Sequence, residues 1–354
     1  MRILVHEFAS GGGLSDQPVP ATLRREGRAM LTALIADLVA MGRHQIVTTT
    51  DARFPLAVPP GVEVRTLSVR ADERTSQLDR LIADAAAAWI VAPETGGCLE
   101  DLAARVESQG TTLIGSDAAA VGMASDKAGL AQCLAAASVD HPTTRVFATG
   151  TDSAHWNAAA QEIGFPVVVK PSRGAGCDGV RLARDRFALR HGVAAAEQAG
   201  GGRALLLQNF VEGVPASVSL LVDHRRAIAL AVNNQSLRIS QCFDYHGGTT
   251  PLEHPLVPDA MDVAVRTCEA LGGLRGYVGV DVVLTDTEAV VIEVNPRLTT
   301  AYLGVRCAIE SNVAQLVLDA CVGILPQSVS PSKRIRFTSA GDIVSSELVR
   351  QQTR

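Results

Sequence analysis

Asp281, Glu293 and Asn295 are oxygen-bearing side chains set in apolar surroundings, Gly279-Val280-Asp281-Val282-Val283 and Val290-Val291-Ile292-Glu293-Val294-Asn295. Strand alternation sends Glu293 and Asn295 to one face. A hairpin turning through Thr285–Glu288 brings Asp281 beside them. Charges buried unpaired in such runs are costly. Two carboxylates and an amide oxygen make a donor set for Mg²⁺, which takes oxygen ligands and shares them with substrate phosphates. The plainer alternative is a pair of ordinary edge-strand charges.

A second chemical feature follows the apolar run Pro166-Val167-Val168-Val169-Lys170. The loop Pro171-Ser172-Arg173-Gly174-Ala175-Gly176-Cys177-Asp178-Gly179 carries three glycines in which backbone N–H groups can approach an anion. Its spacing matches neither the G-x-x-x-x-G-K-[ST] phosphate loop nor a G-x-G-x-x-G helix start. Lys170 at the strand end can neutralise phosphate oxygens; a plain turn is the rival reading. Lysine occurs at only three positions, 127, 170 and 333, in a chain that otherwise uses arginine. A compact ammonium in place of a planar fork points to a chemical need at those places. Leu205 to Gly213 reads as a strand running into a turn, a shape that suits a hinge facing an adenine edge or, more simply, a core strand.

The elements that must position these groups fall into two patterns. Up to about residue 120, strands at 3–8, 45–49, 62–67, 88–92 and 111–114 alternate with helices at 24–41, 73–86 and 99–109, which implies a parallel sheet. Ligands gather beyond the carboxyl ends of such strands, where Ser10-Gly11-Gly12-Gly13 and Glu94-Thr95-Gly96-Gly97 lie. Ser125-Asp126-Lys127 then opens a helix to about 137. Neighbouring antiparallel strands are predicted at 204–210, 216–222 and 227–232, a helix at 259–271, the hairpin 278–294 and one helix over 299–323. The residues from 331 onward are polar and poorly patterned.

Hydrophobic residues make up 47% and charged residues 19% of the 354 positions, so a packed globular chain is expected. The net charge of −5, with no basic run, argues against nucleic acid. No apolar window is long enough for a membrane span, and no leader precedes Arg2-Ile3-Leu4-Val5. Seven scattered cysteines without a C-x-x-C pair fit reduced thiols in a cytoplasm.

In combination, Ser125-Asp126-Lys127, strand-Lys170 with its glycine-rich loop, Gln208-Asn209-Phe210-Val211-Glu212-Gly213, and Asp281…Glu293-Val294-Asn295 resemble the ATP-grasp superfamily. The resemblance implies an α/β chain: a Rossmann-like pre-ATP-grasp domain (1–120), a small ATP-grasp lobe (121–200), a large lobe carrying the metal site (201–330) and a polar tail (331–354). It implies an acid–amine ligase in which ATP is gripped between the lobes. Lys127 and Lys170 would contact its phosphates or purine. Ser172, Gly174, Gly176 and Gly179 would close over the phosphates, and Gln208 with the backbone of Phe210 and Val211 would hold adenine. Mg²⁺, or Mn²⁺ in its place, would sit on Asp281, Glu293 and Asn295, and Arg297 would contact the transferred phosphate. Two departures stand out. Gln208 replaces a usual glutamate, and Pro215 stands near the usual ribose carboxylate, leaving Glu212 as its substitute.

A narrower resemblance, to the tyramine–glutamate ligases of methanofuran-type cofactor biosynthesis, rests on several further segments. These are His6 to Gly13, Glu26 to Leu31, Ala92 to Thr95, Tyr245 to Gly248 and Glu293 to Thr300. It implies small-molecule partners, L-glutamate and tyramine. Glu94, Ser10, Gly11, Tyr245, Gly247 and Gly248 are then the substrate candidates, although Glu94 could equally be a helix N-terminal charge. Other amino-acid or dipeptide ligases, a bicarbonate-using carboxylase and a nucleotide sensor are the rival readings, and a homodimer is left open.

Overall fold

The computed structural model describes residues 1–348. Five parallel strands form the first layer: β1 (Arg2–Glu7), β2 (Gln45–Asp51), β3 (Glu63–Leu67), β4 (Ala87–Val91) and β5 (Thr112–Leu113), in the order β3-β2-β1-β4-β5. The runs of β1, β2 and β4 are buried on both faces, as a helix-covered parallel sheet requires, beneath α1 (Ala21–Ala40), α2 (Ala71–Ala83) and α3 (Cys98–Ser108). The strand order reverses between β1 and β4. A crevice opens at such a reversal, and the loop after β1 and the 3-10 turn Thr95–Gly97 after β4 lie at its rim.

Two helices lead out of this layer, α4 (Ala118–Ser125) and α5 (Lys127–Ala136). The sequence pattern predicts only the second. Asp126 separates them, its carboxylate accepting the Ala128 N–H as the N-cap of α5.

A four-stranded antiparallel sheet follows: β6 (Thr144–Phe147), β7 (Val167–Pro171), β8 (Arg181–Ala183) and β9 (Leu205–Asn209), ordered β6-β9-β7-β8 and packed on α6 (Ser153–Ile163) and α7 (Arg186–Gly200). The third sheet holds β10 (Val214–Asp223), β11 (Ala227–Ile239), β12 (Phe243–Thr250), β13 (Arg275–Leu284), β14 (Ala289–Asn295), β15 (Lys333–Thr338) and β16 (Ile343–Leu348). Its order is β14-β13-β10-β11-β12-β15-β16, with α8 (Val257–Leu271), α9 (Tyr302–Ala308) and α10 (Val313–Ala320) against it.

Two expectations are corrected here. The single helix over 299–323 is two helices, because Asn312 caps α10 by accepting from the Gln315 N–H while its own amide donates to the Asp37 carbonyl. The C-terminal stretch is not an unpatterned tail. Lys333–Thr338 pairs with β12, and Ile335 and Phe337 point inward at 1% and 2% exposure. Burying Phe337 is worth about 2 kcal/mol, enough to hold a strand whose Ile-Arg-Phe alternation is too short to read alone. Residues 349–354 of the expected tail lie outside the described residues. No helix among the described residues is long and apolar enough to cross a membrane.

Candidate nucleotide and acyl-transfer site

Asp281 and Glu293 are direct neighbours across the β13–β14 pair. Gln235 on β11 donates to one Asp281 oxygen at 2.8 Å and Asn295 donates to the other at 3.1 Å. The Asn295 amide oxygen is thereby turned away from Asp281. Burial, and then the Glu293 charge, push the Asp281 carboxyl up to about 7. Burial alone would raise Glu293 too, but Lys127, Lys170 and Arg297 together hold it below the usual carboxylate range. Among the described residues no three His, Cys, Asp or Glu side chains gather into a metal cage. Two carboxylates and an amide oxygen are hard donors of the kind Mg²⁺ accepts alongside phosphate oxygens and water.

Two lysines converge on these carboxylates from separate elements. Lys127, the first residue of α5, pairs with Glu293 at 3.0 Å and donates to the Gly174 carbonyl at 2.7 Å. Lys170, near the end of β7, is 4% exposed; its burial, offset by Glu293 and reinforced by Lys127, lowers it to about 8. It still carries most of its charge at neutral pH. The loop Ser172–Gly179 lies above them. Gly176 and Gly179 have φ of 67° and 71°, a backbone region natural to glycine. Ser172 is buried, with its carbonyl accepting the Lys127 N–H at 2.9 Å. Cys177 in the same loop has its thiol pushed up to about 12 by burial and then by Glu293 and Asp281, which disfavours the thiolate.

At the end of β9 a chain of hydrogen bonds orients Gln208. The Thr144 hydroxyl donates to the Pro142 carbonyl at 2.8 Å and accepts from the Gln208 amide nitrogen at 2.8 Å. The amide oxygen is left as an acceptor, which is what a 6-amino group of adenine needs. The Phe210 N–H is spent on the Pro166 carbonyl at 3.1 Å, which leaves the Phe210 carbonyl and the Val211 backbone for any ligand edge there. Glu212 is exposed.

Facing this assembly is the rim of the first layer. Arg297 forms a two-pronged pair with Glu94 at 2.9 Å on each prong, and its third nitrogen donates to the Leu298 carbonyl. Glu94 is 2% exposed. It orients Arg297 rather than standing open to an ammonium, which corrects that reading, while it still heads the turn that leads into α3. Burial would lower the Arg297 guanidinium, but Glu94, with help from Glu26 and Glu293, raises it. Ser10 and Gly11 are corrected likewise. The Ser10 hydroxyl and N–H donate to Glu7, and Gly11 is buried against the Glu7 backbone and His6, so both build the loop rather than meet a substrate. Gly247 and Gly248 are held by the sheet. They lie inside β12, where a Cβ would overlap the Phe337 carbonyl oxygen at one position and the Asn234 carbonyl oxygen at the other. Burial raises the Tyr245 phenol on the same strand, and the charges of Glu26 and Asp281 raise it further.

The ATP-grasp domain family matches residues 124–301, half of the chain, and the pre ATP-grasp 3 domain matches residues 44–121. This chain belongs to the ATP-grasp family. Over 113 residues it is 36% identical to the tyramine–L-glutamate ligase of Methanocaldococcus fervens, a match spanning 32% of this chain and 36% of that one. The chain thus aligns with about a third of that relative. Its fold is that of an ATP-grasp superfamily protein from Archaeoglobus fulgidus, with a TM-score of 0.68 and 23% identity over 95% and 92% of the two chains. It is also that of the biotin carboxylase domain of the Hydrogenobacter thermophilus 2-oxoglutarate carboxylase, solved with MgADP and bicarbonate, with a TM-score of 0.73 and 18% identity over 95% and 73%.

Three groups of this ATP-grasp chain escape the sequence reading. Gln235 holds Asp281, and its signal is the polar run Asn233-Asn234-Gln235 inside an apolar strand. Thr144 sets the Gln208 amide and leaves no local signal. Glu26 accepts from the Thr300 hydroxyl and brings a second carboxylate to the neighbourhood of Arg297. Its place beside Gly27, whose missing Cβ leaves room for the Glu7 carboxylate, was visible only as part of a longer motif.

Proposed function

We propose that the chain is an ATP-dependent acid–amine ligase. It activates a substrate carboxylate as an acyl phosphate and joins it to an amine, releasing ADP and phosphate. The observation that carries the reading is convergence: Lys127 from α5, Lys170 from β7, and Asp281, Glu293 and Asn295 from the β13–β14 hairpin meet at one point beneath a glycine-rich loop, with Arg297 close enough to act on Glu293. The residues fit a Mg²⁺-nucleotide, with Asp281, Glu293 and Asn295 as its protein ligands. Such a cation would neutralise phosphate oxygens at the transferred group.

The chain's own groups supply the rest. Lys127 and Lys170 offset phosphate charge, and in phosphoryl transfer positioning and neutralisation account for most of the rate. Gln208 accepts from the adenine amino group. The carboxylate oxygen attacks the γ-phosphorus, and the bond to ADP breaks. The amine nitrogen then attacks the acyl carbon, phosphate leaves and the nitrogen loses a proton. Arg297, held rigid by Glu94, faces the developing oxyanion, where a fixed positive group acts most strongly. The loop Ser172–Gly179 keeps water from the acyl phosphate.

The narrower reading is the γ-carboxylate of L-glutamate with tyramine. It is supported by the likeness to tyramine–L-glutamate ligase and by the electrostatics of the rim. Glu94 is neutralised by Arg297, whereas Glu26 adds a further negative charge whose field reaches the Tyr245 phenol. A carboxylate and an aromatic ring lining one pocket would suit an aromatic ammonium. A cytoplasmic location goes with these small-molecule partners.

The test is ADP release by purified protein with Mg-ATP and L-glutamate, with and without tyramine, followed by mass analysis. A tyramine-dependent rate with one amide per ADP is expected. If neither compound stimulates ADP release, that pair is rejected, and the same assay across other amino acids and amines decides the ligase reading.

A further inference from the structure

The glycine-rich loop is tied to the first layer by contacts that nucleotide binding does not require. The Arg173 guanidinium pairs with Glu100 of α3 at 2.7 Å and donates to the Gly122 carbonyl of α4 at 3.3 Å. The Ala175 N–H donates to the Thr95 hydroxyl at 3.0 Å. Gly122 makes room for the pair, since a Cβ there would stand 2.6 Å from a Glu100 carboxylate oxygen. Thr95 directly follows Glu94, the residue that grips Arg297. One short turn, Glu94–Gly97, therefore holds the phosphate loop through Thr95 and the acyl-transfer arginine through Glu94.

We propose that Thr95, Glu100 and Arg173 are positioning residues forming a latch between the phosphate loop and the first domain, so that closing the loop and setting Arg297 are one event. The latch itself is a property of the fold. Its consequence for catalysis rests on the ligase reading. A loop free to open exposes an acyl phosphate to water, so a loosened latch converts amide synthesis into wasted ATP hydrolysis. The geometry also explains why Glu100 lies in the first turn of α3: it serves the helix N-terminus and still reaches Arg173.

Three variants separate the latch from general destabilisation. Glu100→Gln removes the charge, and Thr95→Val removes the acceptor of the Ala175 N–H. Gly122→Ala displaces the Glu100 carboxylate while improving the helix propensity of α4, so it loosens the latch without unfolding the domain. The first readout is hydrogen exchange of residues 172–179 in the ligand-free protein. It should quicken about two- to fivefold in each variant, the span of a partly exposed ion pair, while the thermal midpoint of Gly122→Ala stays level or rises. The second readout is ADP formed per amide, which should climb above one in the same variants. Wild-type exchange over 172–179 in all three variants overturns the latch. Faster exchange with a ratio that stays at one keeps the latch but overturns its consequence for catalysis, because the loop is then not the water barrier. Because exchange needs no turnover, faster exchange in a protein that consumes no ATP with any substrate supports the latch and rejects the ligase reading alone.

Discussion

Asp281 and Glu293 face each other from adjacent strands, and the lysines favour the second. Glu293 therefore keeps its charge and Asp281 holds a proton up to about 7, against an ordinary 3.8. The native chain then binds this proton more tightly than the unfolded chain between those two values. Stability from this group is accordingly greatest at low pH, falls as pH rises from about 4 to about 7, and levels off above. The difference in unfolding free energy between wild type and Asp281→Asn, measured by urea titration in chelator, should decline across that window by on the order of 4 kcal/mol. His6 slopes the other way, because burial lowers it to about 4, but it is common to both proteins and cancels. Parallel curves would mean that the two carboxylates do not share the strain described for them.

At the scale of elements, β12 shows how a motif of chemical appearance can be structural. Gly248 lies between β11 and β15, close to the Asn234 carbonyl and the ring of Phe337. Overfilling a tight site costs about 1–3 kcal/mol. Gly248→Ala should lower the thermal midpoint while the KM for each substrate moves less than about twofold. A raised KM with an unchanged midpoint would return Gly248 to the substrate pocket. The same sheet explains why the C-terminal strands matter: Phe337 packs against Ala301 and Leu303, next to the Asn295–Arg297 segment.

The whole molecule is three sheets meeting at the site; the first and third share a core through α1, α9 and α10, and the second has its own. A ligand that touches all three should stabilise them together. A non-hydrolysable ATP analogue at a hundred times its Kd should add about 2.7 kcal/mol to stability, read as a thermal shift. The shift should need Mg²⁺, because without a cation Glu293, joined by Asp281 once it loses its proton near pH 7, repels the phosphates. Equal shifts with magnesium and with chelator would remove Asp281, Glu293 and Asn295 from metal binding.

The amino-acid sequence alone determined the parallel first layer, the hairpin that sets Asp281 beside Glu293 and the loop that follows Lys170. These depend on periodicity within a strand and on turn residues, which are local properties. Even the unusual placement of Lys127 and Lys170 was visible in composition. Tertiary structure alone decided that Glu94 grips Arg297, that Ser10 serves Glu7, that Gly248 packs rather than binds, and that Lys333–Thr338 is a strand. In each of these a side chain or strand finds its partner across a different element. Which carboxylate a guanidinium meets depends on how the sheets dock, and no pattern along either strand encodes that distance.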